Sequence, residues 1–376
     1  MNLTSRLADF VFRFRWPVLT LGVLVTLVLG VLSMKLETDT RIAYSLPRQG
    51  RETLAYYDRL YQGTIPMILH IEWQPDVGVG RDEVIGVLQQ VHQLLGQSDV
   101  MSEPLSLLSV LELFPIAEKE GPVAAFGELR FWPEEARDLR DLAIDFEDRS
   151  MYVYVRCQDA GTATIADDLS MFAAGFEEIS EQYPAFSFRI LNSTIMSAPV
   201  ANKLVADLMR SLLFAIPITL VIVAFALRSA YYGFAGLLPN VFPMVALAAA
   251  LVMFQQPLLL VGAVVFTISF GIAVDDTIHV LANFKKSYAE SGDAAQAIHE
   301  VYHKVGGALI SSTLILLAGM GVVMLSRTTM VRTFGAMFCI TLAFALVADL
   351  VLLPAVLACF PPKRPMAPSL EEMPEG

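Results

Sequence analysis

Six stretches of the chain are apolar for long enough to cross about 30 Å of hydrocarbon, a distance that takes about 20 helical residues. They cover roughly residues 16–34, 212–227, 232–254, 258–284, 305–325 and 334–360. Between the first two lies a stretch of opposite character, residues 35–203, far too long for a connecting loop. Within it the pattern changes from continuous apolar runs to alternation. MILHIEW at 67–73, MYVYVRC at 151–157 and FSFRIL at 186–191 read as half-buried strands. RDEVIGVLQQVHQLLGQ at 81–97 and the segment 162–183 read as amphipathic helices. Strands and helices in that order predict an α+β sandwich of the split βαβ type. The segment 100–133 is rich in Leu, Phe and Pro but has no clean period, and Phe114, Phe126, Phe131 and Trp132 within it are assigned to core.

The predicted fold class is therefore a polytopic α-helical membrane protein of six transmembrane helices, with an α+β domain between helices 1 and 2. Its parts are an amphipathic cytoplasmic N-terminus (1–15), a first span (16–34), the α+β domain (35–203), a five-span bundle (204–360) and a cytoplasmic tail (361–376). The first run lacks a small-residue cleavage site and reads as a retained anchor. Orientation follows from basic residues in the short flanks. Arg6, Arg13, Arg15, Arg228, Lys285, Lys286, Lys304, Lys363 and Arg364 fall on one side, and only Arg327 and Arg332 on the other. Both termini are thus expected in the cytoplasm and the large domain outside.

Composition agrees with this layout. The chain is 55% hydrophobic and 17% charged, with mean hydropathy +0.56. Its net charge of −12 sits in the α+β domain, which carries 27 Asp and Glu against 14 Lys and Arg. That acidity reads as a solvated surface, and it argues against a nucleic-acid partner, which needs concentrated basic residues. Cys157, Cys339 and Cys359 make neither a disulfide framework nor a metal cluster. The outer domain shows no phosphate loop, paired-His metal motif or nucleophile elbow, so neither an enzyme nor a bound cofactor is expected.

The chemistry lies in the fourth and sixth apolar runs. GIAVDDTIHV at 271–280 puts Asp275, Asp276 and His279 into an otherwise apolar helix. An acid at mid-bilayer costs about 2.5–3.5 kcal/mol, so such groups face a protein interior and mark an ion or proton path. Gly271, Asp275 and His279 share one helical face; Asp276 is turned about 100° away but stays within reach of His279. Gly271 permits close approach of another helix. Two carboxylates adjacent on one helix do not converge on a metal. Asp349, among Leu346, Leu350, Leu352 and Leu353, needs a partner inside the bundle. Thr277, Ser311, Ser312 and Thr313 are supporting polar positions, although hydroxyls in bundles commonly bond their own helix carbonyls.

Together these residues resemble one repeat of the resistance-nodulation-division (RND) superfamily, in its mycobacterial-membrane-protein-large-like branch, which is related to the sterol-sensing-domain proteins. The likeness rests on Gly271 through Asp275-Asp276 to His279, on Leu237-Leu238-Pro239-Asn240 to Pro243, on Val305-Gly306-Gly307 through Thr313, and on Ala348-Asp349-Leu350 through Pro354. In the outer domain it rests on layout alone. The resemblance implies a porter-like periplasmic domain and proton-driven export of a lipid or other hydrophobic substrate from the bacterial inner membrane. Asp275 and Asp276 would be the relay, helped by His279 and Asp349. Relatives carry two such repeats per chain and this sequence one, so a half-size protein is expected, pairing with a second copy or a sister half. Periplasmic carrier proteins are further implied partners. Two other readings use the same six-span unit: a proton-driven motor of protein secretion like the auxiliary Sec subunits, and a lipid-sensing protein that does not transport.

Overall fold

The computed structural model describes residues 3–39, 41–74, 80–128, 143–145, 147–191 and 193–362. Phe131 and Trp132 lie outside them. The chain divides into two compact units, Asp39–Lys203, and Met1–Thr38 with Leu204–Gly376.

In the first of these units the alternating segments form strands β1 (Ile65–Trp73), β2 (Ile144–Asp145), β3 (Ser150–Cys157) and β4 (Phe186–Ile190). Their order is β2-β3-β1-β4 with every pairing antiparallel, as in a split βαβ unit. Leu69 pairs with Val153 on one side and Ile190 on the other. Alternation sends Ile65, Met67, Leu69 and Ile71 of β1, and Met151, Val153, Val155 and Cys157 of β3, to one buried face. Helices α1 (Arg81–Leu95) and α2 (Thr162–Gln182) supply the other half of the core through Ile85, Leu88, Val91, Phe172 and Phe176. Ser106 caps the short helix Leu107–Leu111, accepting from the Leu108 N–H at 3.1 Å, and meets His92 Nε2 at 2.7 Å; burial lowers the His92 pKa. The aperiodic segment resolves into that helix and two more, Pro115–Glu120 and Pro122–Glu128, each begun by proline. Phe114 and Phe126 pack against the core, as expected.

Cys157 is fully buried, and its burial, with Asp168, Asp58 and Asp159 nearby, pushes its thiol up to about 12. Because only the thiolate is a good nucleophile, iodoacetamide at pH 8 is expected to leave Cys157 unmodified until the chain is denatured, as peptide mass spectrometry would show.

Among the described residues six helices are, by length and composition, able to cross a membrane: Arg15–Ser33, Lys203–Ala226, Ala230–Met253, Leu260–Ser291, Ala294–Val323 and Thr329–Cys359. Each apolar run of the sequence is found as one of them. The helices outrun the apolar stretches because flanking polar residues still favour helix; the second begins at Ser193 and the fourth ends at Ser291. The third, fourth and sixth spans pack on one another and the first lies on the third. An N-terminal helix, Leu3–Arg13, buries Ala8 and Val11 against the bundle. Lys285 Nζ donates to Leu227 O at 2.8 Å, satisfying a carbonyl at the end of the second span.

Two spans depart from regular α-helix, and both departures sit next to polar groups. The fifth opens into a π-helical turn at Tyr302–Gly306 and the sixth at Ala348–Leu352. Pro354 has no N–H to give the carbonyl of Leu350 four residues earlier. The buried Tyr302 hydroxyl donates to that carbonyl instead, so one irregular turn satisfies the other.

Candidate functional site

Asp349 lies in the π-helical turn of the sixth span with 2% of its surface exposed. Its partner comes from the fourth span. Thr277 Oγ1 is 2.6 Å from Asp349 Oδ1 and 3.0 Å from Asn240 Oδ1 of the third span. All three groups are buried. Asn240 sits between Pro239 and Pro243, each of which removes a ladder hydrogen bond from the third span and loosens the helix around the amide. Gly236, one turn before Asn240, faces Thr277: a Cβ there would lie 3.1 Å from the Thr277 methyl. Next to this cluster is a cavity of about 20 Å³, room for one water, lined by Thr219, Leu220, Gly233, Gly236, Asn240 and Thr277 among others.

The hydrogen-bond arithmetic of the cluster is informative. A hydroxyl has one proton to give, and Thr277 faces two oxygens. With Asn240 oriented as described, one of the two contacts needs a proton supplied by Asp349. If the amide turns over, its N–H₂ donates to Thr277, and Thr277 can donate to an ionised Asp349. In both states each of the two contacts to Thr277 pairs one donor with one acceptor, and the states differ by one proton and one amide rotation.

The other acids of the fourth span are placed differently. Asp275 and His279 share a face, with His279 Nε2 3.7 Å from Asp275 Oδ1, and their side chains are 74% and 64% exposed within the chain. Gly271, a turn earlier, has nothing within 4 Å of a Cβ built on it. Among the described residues no helix of this chain covers that face. Asp276, between Asp275 and Thr277 in the sequence, is half-buried. In the fifth span Ser311 and Ser312 are exposed, Ser312 donates back to Leu309 O at 3.0 Å, and Thr313 is buried. The structure thus joins Asp349 and Thr277, keeps Asp276 near, and leaves Asp275, His279, Gly271, Ser311 and Ser312 on open faces. Asn240 was not among the residues expected at the site. Its sequence signal is a lone amide in an apolar run between two prolines, a buried polar group that must find a partner.

In the α+β unit, α2 and β4 flank a pocket of about 560 Å³ lined by Leu169, Phe176, Phe188 and Ile190, with Glu177 and Arg189 also lining it. Phe176 and Phe188 stack at 5.2 Å. No group of His, Cys, Asp and Glu among the described residues is arranged to hold a metal ion.

No curated protein matches the sequence. The model of the MMPL family matches residues 180–374, more than half of the chain and all five spans of the C-terminal bundle. This family is one of RND-type membrane transporters of hydrophobic substrates rather than enzymes. The six membrane-crossing helices fit one such repeat, and the chain belongs to the MMPL family.

Proposed function

We propose that this protein uses the proton-motive force to move a lipid or other hydrophobic molecule across or out of the bacterial inner membrane, and that it works as a pair of six-span units. The observation that carries the reading is the buried Asp349–Thr277–Asn240 trio, in which the contact between the carboxyl and Thr277 can be kept in either protonation state. In the loaded state Asp349 donates to Thr277 and Thr277 donates to Asn240. In the unloaded state the order of donation reverses and the amide turns. A site that keeps both bonds to Thr277 either way binds and releases a proton without losing either of them. Since the three residues come from three spans, the exchange biases how the third, fourth and sixth helices sit together.

Asp276, Asp275 and His279 continue the path from the trio to the open face of the fourth span, with Gly271 and the Ser311–Thr313 hydroxyls as supporting groups. An ion pair on that face would cost several kcal/mol against lipid. A second six-span unit, in the simplest case another copy of this chain, covers it, as two-repeat transporters place their halves about a central site. Both termini are then cytoplasmic and residues 35–203 periplasmic, where the Phe176–Phe188 pocket takes an acyl chain and Arg189 its acidic headgroup. The drive suffices: each proton crossing 100 mV releases about 2.3 kcal/mol.

The test uses the full-length protein in vesicles of phosphatidylethanolamine and phosphatidylglycerol with a trace of fluorescent phosphatidylglycerol. An imposed pH gradient should drive directional movement of the label, and a protonophore should stop it. Movement at the same rate with the gradient collapsed contradicts the proposal.

A further inference from the structure

The fourth and sixth spans run in the same direction. A Cβ on Gly262 would lie 2.8 Å from Met337 Cε, and further along both helices Thr277 bonds Asp349. Between these two levels the helices carry matching triplets at four-residue spacing. The fourth has Ser269, Ala273 and Thr277; the sixth has Thr341, Ala345 and Asp349. All six are buried, none more than 3% exposed. Four-residue spacing keeps each triplet on one helical face. Eight residues of helix put Ser269 about 12 Å from Thr277 and Thr341 about 12 Å from Asp349, so the two hydroxyls stand at one level.

Their bonding is unequal. Thr341 donates to Met337 O at 2.8 Å, the usual retreat of a hydroxyl inside a helix, which leaves its lone pairs free to accept. Ser269 does not make that bond: its Oγ is buried and has no hydrogen-bond partner among the described residues. A buried hydroxyl left in this state needs an explanation, and water is the usual one. The alanines at 273 and 345 keep the seam between this level and the acid free of bulky side chains. Toward the start of the two spans from this level, Phe266 packs in one apolar cluster with Met337 and Phe338.

We infer that the seam between the fourth and sixth spans is the proton-access route to Asp349 from the membrane face at which those two spans begin, with Ser269 and Thr341 as its hydroxyl way-station. Each hydroxyl takes a proton on a lone pair from the water before it and gives its own proton to the water after it, Thr341 by turning its O–H away from the Met337 carbonyl. One proton advances, no bond to carbon changes, and the last acceptor is the Asp349 carboxylate. Asp276 precedes Thr277 on the fourth span and is half-buried; Asp275 and His279 lie on the open face. The water-sized cavity by Thr219 meets the trio at Thr277 and Asn240 from the side of the second span. This inference rests on Asp349 being the titrating group.

The test is infrared difference spectroscopy of the full-length protein in lipid nanodiscs, with D₂O as the probe. The carbonyl band of protonated Asp349, identified by its loss in Asp349→Asn, shifts when its proton is exchanged. Ser269→Ala combined with Thr341→Val should slow that shift roughly 10-fold or more. The isosteric Thr341→Val alone should slow it in the same direction, Thr341→Ser should restore the wild-type rate, and Thr219→Val should leave it unchanged. Unaltered exchange in the double variant and in Thr341→Val overturns the route, as does slowing by Thr219→Val in their place. A band assigned to Asp349 that is absent at every pH overturns the underlying reading, and the route with it.

Discussion

Asp349→Asn is expected to leave the protein inserted and folded while lowering gradient-driven lipid movement at least about 100-fold. The amide has the size of the carboxyl, can accept from or donate to Thr277, and carries no proton that leaves at physiological pH. The trio therefore survives in geometry and is locked in the likeness of its loaded state. Asp349→Leu should behave differently. It removes one of the two partners of Thr277 and forces a branched apolar side chain against the remaining Thr277–Asn240 bond, at about 1–3 kcal/mol, so it should lower thermal stability as well as transport. Lipid movement in reconstituted vesicles and thermal unfolding in detergent, measured on both variants, separate loss of titration from loss of packing. Wild-type transport by Asp349→Asn would remove Asp349 from the mechanism.

The second large effect is expected at Gly271. Among the described residues nothing lies within 4 Å of a Cβ there, so Gly271→Trp has room in the isolated subunit and should leave its folding intact. If the face of Asp275 and His279 is covered by a second copy, the indole falls in the middle of the interface. Dimer affinity should then drop on the order of 100-fold or more, with transport lost alongside it. Gly233 is the control. A Cβ there would lie 2.7 Å from the backbone oxygen of Leu220, which has no flexible end to move aside. Gly233→Trp should therefore damage the packing of the second span on the third, costing about 1–3 kcal/mol or more, whatever the oligomeric state. Native mass spectrometry distinguishes the two: monomeric, folded Gly271→Trp is the expected result, and a dimer as stable as wild type would place the partner elsewhere.

Much of this was legible in the sequence because membranes impose a length on apolar runs. All six spans could be placed from that constraint, with errors only at helix ends, where polar residues continue the helix beyond the hydrocarbon. The strands of the α+β unit were legible from alternation, as in MYVYVRC. The region after Val100 was not, since its helices span only five to seven residues, less than the two turns a period needs in order to show. At the site, helical spacing put Gly271, Asp275 and His279 on one face, and they do share it. Spacing did not say whether that face turns inward, because the opposite face, Ser269 through Thr277, is also small and weakly polar. Asp349 declared itself as an acid surrounded by leucines. Its partners Thr277 and Asn240 are 72 and 109 positions away in sequence, and only helix packing brings them together. The role of Pro354, which frees the Leu350 carbonyl for Tyr302, likewise becomes visible only when the fifth and sixth spans are seen side by side.

One titrating group inside the bundle is proposed to couple proton movement to lipid movement. Coupling is reciprocal, so a lipid gradient alone should move protons. The most direct measurement therefore starts with vesicles of equal pH inside and out, an asymmetric load of phosphatidylglycerol, and a pH-sensitive dye trapped inside. The account predicts a change of internal pH that follows lipid movement in the wild-type protein and is absent with Asp349→Asn. Lipid redistribution with no change of internal pH would contradict it.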